Sequence, residues 1–415
     1  MGAIGIVAEY NPFHTGHAGQ IARTRAKLGR DIPVAAVMSG NWVQQADCAI
    51  ADKWTRAQLA LMGGVDLVLE LPTVWAVSSA ESFARGAVSI LNASGIVNAL
   101  SFGSESGDME QLERVAACLD GREYPTLLKE RLSRGLSFPA ARQGAAEQLL
   151  GPDAAALSRP NNTLGIEYIR ALNSLNSAIR PITVKREGAG HNEAAAVFAG
   201  EASREETNQL FWQYNPTLSA TAIRGHLMDG EWELMAPYLP REGAALLREN
   251  GVELPALRQL ERAMLTRVRT MSAEDWGRLP DAGAAEGLPN RLERAGRECR
   301  SMEEFFDLAK TKRYTHSRLR RLVLWAFLGI TAADVPAAPP YIRVLGFNAR
   351  GQELLREMKG RACLPILTMP VQARGLEAEG RRLFELESRC TDLYNLCRTT
   401  PRPAGEEWTR GPVRG

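Results

Sequence analysis

A chain of 415 residues has room for one to three domains and a large core. Its 45% hydrophobic and 24% charged residues are ordinary for a soluble globular protein, and no uninterrupted run of about 18 apolar residues occurs, which argues against a transmembrane helix. The formal charge of +2 hides an asymmetry: residues 291–415 carry 23 Lys and Arg against 15 Asp and Glu, and the first 290 carry 27 against 33. A basic C-terminal third suits a polyanion held at one end of the molecule, while Arg-rich solvated helices give the same count, so charge alone leaves the two readings level.

The apolar start Gly2–Val7 has no basic lead and no small-residue cleavage site, so no signal peptide is expected. Six cysteines are scattered without a C-x-x-C pair or a histidine at finger spacing. No structural zinc site is expected, and a reduced, cytoplasmic compartment fits.

In chain order, Gly2–Ala8 is a short apolar run ending at the turn Asn11-Pro12, and reads as a buried strand. His17–Leu28 has helix-forming composition. Ile32–Met38 reads as a second strand, Lys53–Met62 as a helix closed by Gly63-Gly64, and Val65–Leu71 as a third strand. Ser78–Leu91 reads as a helix and Ala99–Phe102 as a fourth strand. Strands alternating with helices at this spacing predict βαβ units and a parallel sheet, and burial on both faces accounts for continuously apolar strands. Residues 108–157 read as amphipathic helices without a chemical motif, Asn161–Leu172 as a helix, Ile179–Lys185 as a fifth strand, and Gly188–His191 as a loop. Ser219–Arg224 looks like a helix start capped by Ser219 or Thr221. Beyond Gly230 the pattern is mainly helical, with a loop-like stretch over 282–288 and a Pro/Ala-rich connector over 332–340. The polar, Pro/Gly-rich tail from Thr399 is predicted to be disordered. The expected division is an α/β, Rossmann-like parallel-sheet domain over 1–230, a mainly helical basic region over 231–398, and the tail 399–415.

The strongest chemical signal is His14-x-Gly16-His17, directly after the first strand and opening the first helix. The orphan N–H groups and dipole of a helix N-terminus favour an anion, and histidines donate to phosphate oxygens. Glycine permits close approach to the backbone, and the end of the first strand is where doubly wound sheets place ligands. A lone histidine is more often a satisfied core residue. Here two of only five histidines sit three apart at a strand-to-helix turn, which favours phosphate. Glu9 is the only nearby carboxylate, so a metal site is the weaker reading.

The strand–HxGH–helix start resembles the nucleotidyltransferases and class I aminoacyl-tRNA synthetases, whose HUP-type Rossmann-like domain binds ATP. Ser219-Ala-Thr221-Ala-Ile-Arg224 is similar to their second phosphate element, in which hydroxyls and N–H groups meet the β/γ-phosphates and an arginine neutralises the leaving pyrophosphate. The runs Gly5–His17, Val37–Gln44, Ala60–Pro72, Ser101–Glu105, Pro160–Tyr168, Lys185-Arg186 and Thr311–Thr315 with Arg318-Leu319 together resemble the bacterial tRNA(Met) cytidine acetate ligase family. The resemblance runs from residue 2 to about 395. It implies activation of acetate with ATP to acetyl-adenylate and pyrophosphate, with magnesium accompanying the triphosphate. It implies in turn acetylation of the exocyclic amine of the wobble cytidine in elongator tRNA(Met). Carried over, it puts ATP on Val7, Ala8, Glu9, Tyr10, Asn11, Pro12, Phe13, His14, Thr15, Gly16, His17, Ala18, Gly19 and Gln20. Gly103, Asn162, Arg186, Glu187, Ser219 and Thr221 join them, with His14, His17 and Arg224 catalytic.

Lys310, Lys312, Arg313, Arg318, Arg320 and Arg321, with Tyr314 and His316 interleaved, form the densest basic cluster, and Lys312, Arg313, Tyr314, Arg318, Arg320 and Arg321 are the expected RNA contacts. A surface helix of ordinary Arg content is the alternative. For Asp52, Lys53 and Arg56 a solvated helix face is favoured over phosphate or RNA contact. For Trp42 and Trp75 core packing is favoured over walling an acetate pocket. The competing function is a small-metabolite adenylyl- or cytidylyltransferase, which needs no basic C-terminal third. A non-catalytic RNA-binding protein is the third reading, and intact His14 and His17 weigh against it.

Overall fold

The structure, a computed structural model, describes residues 2–186, 218–249, 254–283 and 287–415. Its first strands are β1 (Ala3–Ala8) and β2 (Val34–Ser39), followed by a hairpin of β3 (Trp42–Val43) and β4 (Asp47–Cys48). Next come β5 (Leu67–Leu71), β6 (Val97–Ser104) and β7 (Arg180–Lys185), and late in the chain β8 (Ile342–Phe347), β9 (Ile366–Leu367) and β10 (Val413–Arg414). The main sheet has the order β10-β8-β5-β2-β1-β6-β7, with β9 on β8. β5, β2, β1, β6 and β7 run parallel to one another, as the βαβ spacing predicts. From β1 the chain proceeds to β2 and β5 on one side, then returns to β6 and β7 on the other. The order therefore reverses between β1 and β6, and a crevice opens beyond their carboxyl ends.

Both faces of this sheet are covered. Along β2, Val34, Ala36 and Met38 belong to one core cluster and Ala35 and Val37 to the other. That double burial is why the strand reads as one apolar run rather than an alternation. On the first side lie Ile21 of the helix Thr15–Leu28 and Leu59 of the helix Lys53–Met62. On the second lie Ala84, Val88 and Leu91 of the helix Ala80–Ser94. Among the described residues, no helix is long and apolar enough to cross a membrane.

Two expectations for the C-terminal third are revised. The region read as mainly helical also supplies β8, which runs antiparallel against β5 and extends the sheet. The tail predicted to be disordered is folded: it carries the short helix Glu406–Thr409 and β10, which pairs with β8. Its polar composition misled because its charges are partnered inside the protein. Glu407 is fully buried, 2.6 Å from Lys53 Nζ and 2.9 Å from Arg343 Nη2, and accepts from the Thr391 hydroxyl at 2.8 Å. Lys53 also meets Glu70 at 2.6 Å. Asp52 faces Arg398, Arg402 and Arg410 at 3.3–3.6 Å. Asp52, Lys53 and Arg56 are thus interior groups, neither a solvated face nor a phosphate or RNA contact. Trp42 and Trp75 are core residues, and the Trp42 indole donates to the Cys390 carbonyl at 2.9 Å.

Glu387, buried beside this network, accepts from the Thr73 N–H at 2.6 Å and from its hydroxyl at 2.8 Å. Burial and then the charge of Glu70 push its carboxyl up to about 8. The folded state thus holds a proton that the unfolded chain releases near the ordinary value of 4.5. Between pH 4.5 and about 8 stability falls as pH rises, at up to roughly 1.4 kcal/mol per pH unit. Glu387→Gln is expected to flatten that slope. Urea midpoints measured from pH 5 to pH 8.5 check this, and an unchanged slope in the variant would assign the pH dependence to other groups.

Candidate active site

At the end of β1, Tyr10 takes φ +46°, in the left-handed region, and turns the chain out of the sheet; the Asn11–Pro12 bond is cis. His14 then caps the helix Thr15–Leu28. Its Nδ1 accepts the Gly16 N–H at 3.0 Å, while His17 Nδ1 accepts the His14 N–H at 3.2 Å. This is a capping box made with two imidazoles, and the helix starts two residues earlier than expected from composition. Because Nδ1 accepts in both rings, the neutral tautomer of each carries its proton on Nε2. The ring centroids lie 4.0 Å apart. Burial, then His14, then Arg186 push His17 well below the usual histidine range. At neutral pH His17 is therefore uncharged, with its proton on Nε2. A Cβ on Gly16 would lie 2.7 Å from His14 Cε1, so any side chain there would push the His14 ring out of place.

The rest of the loop is scaffolding. Tyr10 and Phe13 are buried, their centroids 4.9 and 5.4 Å from the His17 ring, and the Phe13 ring occupies the space a side chain at Gly63 would need. Asn11 Oδ1 accepts the Ile50 N–H at 2.8 Å. Gln20 donates to the Ser101 carbonyl of β6 at 3.3 Å, docking the helix on the sheet. Val7, Ala8, Glu9, Ala18 and Gly19 are half-buried around the turn. The Thr15 hydroxyl, in the first helical turn, is a buried oxygen without a hydrogen-bond partner among the described residues.

Across the crevice, Gly103 lies where the Arg186 side chain passes, with a Cβ there only 3.0 Å from Arg186 Cγ. Asn162 is buried, and its Oδ1 accepts the Glu105 and Ser106 N–H groups at 2.8 and 3.2 Å. Glu105 reciprocates by accepting the Asn161 and Asn162 N–H groups at 3.1 and 2.8 Å. Asn162 thus shapes the turn beyond β6. Glu187 and the loop Gly188–His191 lie outside the described residues.

On the third side Ser219 caps the helix Ala220–Met228 by accepting the Ala222 N–H at 3.2 Å. Arg224 Nη1 donates to the Asn11 carbonyl at 2.8 Å and Nη2 to the Thr221 hydroxyl at 3.1 Å. This joins the second phosphate-type helix to the HxGH turn across 213 residues of sequence. Glu9 accepts the Gln44 N–H at 2.7 Å, and its carboxyl is raised by burial against the opposing pull of Gln44, Arg224 and Arg56.

Two arginines near the site have a place that sequence did not assign: for Arg56 a solvated face was favoured, and Arg23 was not singled out. Arg56 is fully buried and donates to the Ala51 and Ser39 carbonyls at 3.0 and 2.9 Å, as well as to those of Glu9 and Gly40. It thereby ties the ends of β1 and β2 together. Arg23, two turns along the first helix, has a buried Nε without a partner among the described residues, and its charge acts on Arg186. A buried guanidinium N–H without a partner among the described residues, close enough to a second guanidinium for their charges to interact, suits an anion.

The basic cluster is divided. Lys312, Arg313 and Arg320 are exposed. Arg318 donates to the Asp281 carbonyl at 3.0 and 3.2 Å, and Arg321 meets the Asp281 carboxylate at 3.0 Å. Tyr314 is 6% exposed, with the Arg318 guanidinium 5.9 Å over its ring, so this aromatic is packed rather than presented to a base. Among the described residues no three His, Cys, Asp or Glu side chains converge as a metal site would require.

A switch-point crevice, a helix N-terminus with two Nε2–H donors, and arginines on its walls define a nucleotide-phosphate site of the HxGH nucleotidyltransferase class. The family model described as HIGH Nucleotidyl Transferase matches residues 1–407. Among curated relatives, tRNA(Met) cytidine acetate ligase of Acetivibrio thermocellus is 34% identical, covering 100% of both chains. That of Caldanaerobacter subterraneus is 36% identical over 95% of each. The apo crystal structure of Thermotoga maritima TmcAL superposes with a TM-score of 0.89 at 32% identity, covering 100% of this chain and 99% of that one. The form bound with alpha-thio ATP gives 0.87 at 33%, with the same coverage. The chain belongs to the tRNA(Met) cytidine acetate ligase family of HIGH nucleotidyl transferases.

Proposed function

We propose that this chain activates acetate with ATP and transfers the acetyl group to the exocyclic amine of the anticodon wobble cytidine of elongator tRNA(Met). The observation that carries the ATP half is the paired Nε2–H groups of His14 and His17 at the helix N-terminus beside the β1/β6 switch point. In this reading residues 1–230 hold ATP and 231–398 contact tRNA.

The triphosphate lies over the first helix, with its α-phosphate at His14 and His17 and its outer phosphates towards Arg224. An acetate oxygen attacks the α-phosphorus in line, the new P–O bond forming as the bond to the bridging oxygen breaks and pyrophosphate departs. His17, neutral, donates to an oxygen whose charge grows as phosphorus becomes pentavalent, which a preorganised donor stabilises more than the ground state. The cytidine amine then attacks the acetyl carbonyl carbon, AMP leaves, and the nitrogen loses a proton. Positioning and charge stabilisation supply the rate, and no covalent enzyme intermediate is required. Magnesium takes phosphate oxygens and water with one or two carboxylates, and so is expected to arrive with the triphosphate.

Arg224→Ala is expected to impair the adenylation step selectively, because the guanidinium that faces the departing pyrophosphate is lost. Synthetic acetyl-adenylate supplied to the variant should restore most of the tRNA acetylation. A variant that stays inactive with acetyl-adenylate would make Arg224 a brace for Asn11 or an RNA contact instead.

A further inference from the structure

The helices of residues 108–157 carry no motif in sequence, yet they form one wall of the widest cleft among the described pockets. This cleft, about 980 Å³, has Phe138, Leu136 and Leu128 on one side and Arg313, Arg318 and Arg321 on the other. Phe138 is 53% and Leu136 40% exposed, among the most exposed large apolar side chains described. Both sit where the helix Tyr124–Ser133 gives way to the helix Phe138–Leu150. Phe138 and Leu136 are exposed together in a cleft that arginines also line, an apolar patch rather than a lone exposed side chain.

The lining holds five arginines against three carboxylates, so it favours an anion. Asp281, which holds Arg318 and Arg321, is itself 47% exposed, so a phosphate can compete for those guanidiniums from solvent. Exposed Arg313 stands at the same wall. At its far end the cleft includes Pro160 and Thr163, which flank Asn162 and its turn beyond β6. Pro160 and Thr163 belong to the same helix as Asn162, so one element borders both the cleft and the turn beyond β6.

We infer that this cleft is the docking surface for an unpaired stretch of the RNA substrate, with a base stacked on Phe138 and flanking phosphates on Arg313 and the Asp281-held arginines. The inference rests on the reading of the site given above and names the surface that presents the RNA. Single-stranded RNA fits the combination: a flat aromatic accepts any base face, while guanidiniums take the phosphates. A duplex hides its base faces and has no use for an exposed phenyl ring. The aromatic that sequence placed in this role, Tyr314, is packed, and Phe138 opposite is the ring available.

The test uses the full chain and fluorescence anisotropy with a labelled short single-stranded RNA, a labelled duplex RNA and tRNA(Met), over a series of salt concentrations. Phe138→Ala is expected to weaken single-stranded RNA and tRNA roughly tenfold to a hundredfold and to leave acetate-dependent ATP–pyrophosphate exchange unchanged. Phe138→Trp is expected to retain binding. Arg313→Gln should lower the log–log salt slope by somewhat under one unit. Wild-type RNA affinity in Phe138→Ala, or duplex binding as tight as single-stranded binding, would overturn the cleft assignment. A wild-type protein without acetate-dependent exchange would instead overturn the ligase reading, so the two failures are distinguishable.

Discussion

Replacing His17 with alanine is expected to lower acetate-dependent ATP–pyrophosphate exchange by on the order of a hundredfold or more, with tRNA affinity within a few-fold of wild type. His17 holds two positions at once. Its Nδ1 closes the helix cap by accepting the His14 N–H, which leaves its Nε2–H for the phosphate in the proposed mechanism. Alanine removes both, so a control separates them. His17→Asn keeps a side chain able to accept the His14 N–H and to donate an N–H, though at a different reach. Partial recovery in His17→Asn with an unchanged thermal midpoint would assign the loss to phosphate contact. Near-wild-type exchange in His17→Ala would remove His17 from the chemistry.

Glu407→Ala is expected to destabilise the protein by about 3–5 kcal/mol, far more than the 0–1 kcal/mol of an exposed ion pair. Lys53 and Arg343 are both almost completely buried against this carboxylate. Burial alone would lower Lys53, and Glu407 and Glu70 more than reverse it. Removing Glu407 leaves two cations to Glu70 alone in an interior that solvates them poorly. Glu407→Gln, which keeps the shape and hydrogen bonds but not the charge, should fall between the variant and the wild type. Urea unfolding followed by tryptophan fluorescence checks the order. A midpoint equal to wild type in Glu407→Ala would mean that the tail does not clamp the core.

The same network explains where sequence was least informative. The parallel strands and the HxGH turn were legible because their signals are local: continuous apolar runs for strands buried on both faces, and a histidine pair at a strand-to-helix turn. The tail was not. Its folding depends on partners such as Lys53 and Asp52, more than 340 residues earlier, and no local pattern announces that a glutamate will meet a lysine across that distance. Arg56 illustrates the same limit, since helical charge patterning suggested a solvated face and the side chain is instead a buried tie between strand ends. For Tyr314 the aromatic-within-basic pattern was real, but helix packing turned the ring inward under Arg318. The family resemblance suggested Asn162 as a nucleotide contact, while its holding of the Glu105–Ser106 turn required the fold.

The central claim is that one chain joins ATP, acetate and tRNA. Its most direct test incubates the purified protein with ATP, labelled acetate and a tRNA(Met) transcript, and follows label in the RNA together with AMP and pyrophosphate. Label is expected to enter the wobble cytidine, with one AMP and one pyrophosphate formed per acetyl group, and omitting acetate is expected to stop pyrophosphate release. Pyrophosphate release without acetate, driven instead by nicotinate mononucleotide or phosphopantetheine, with no label in the tRNA, would contradict it and establish a small-metabolite nucleotidyltransferase.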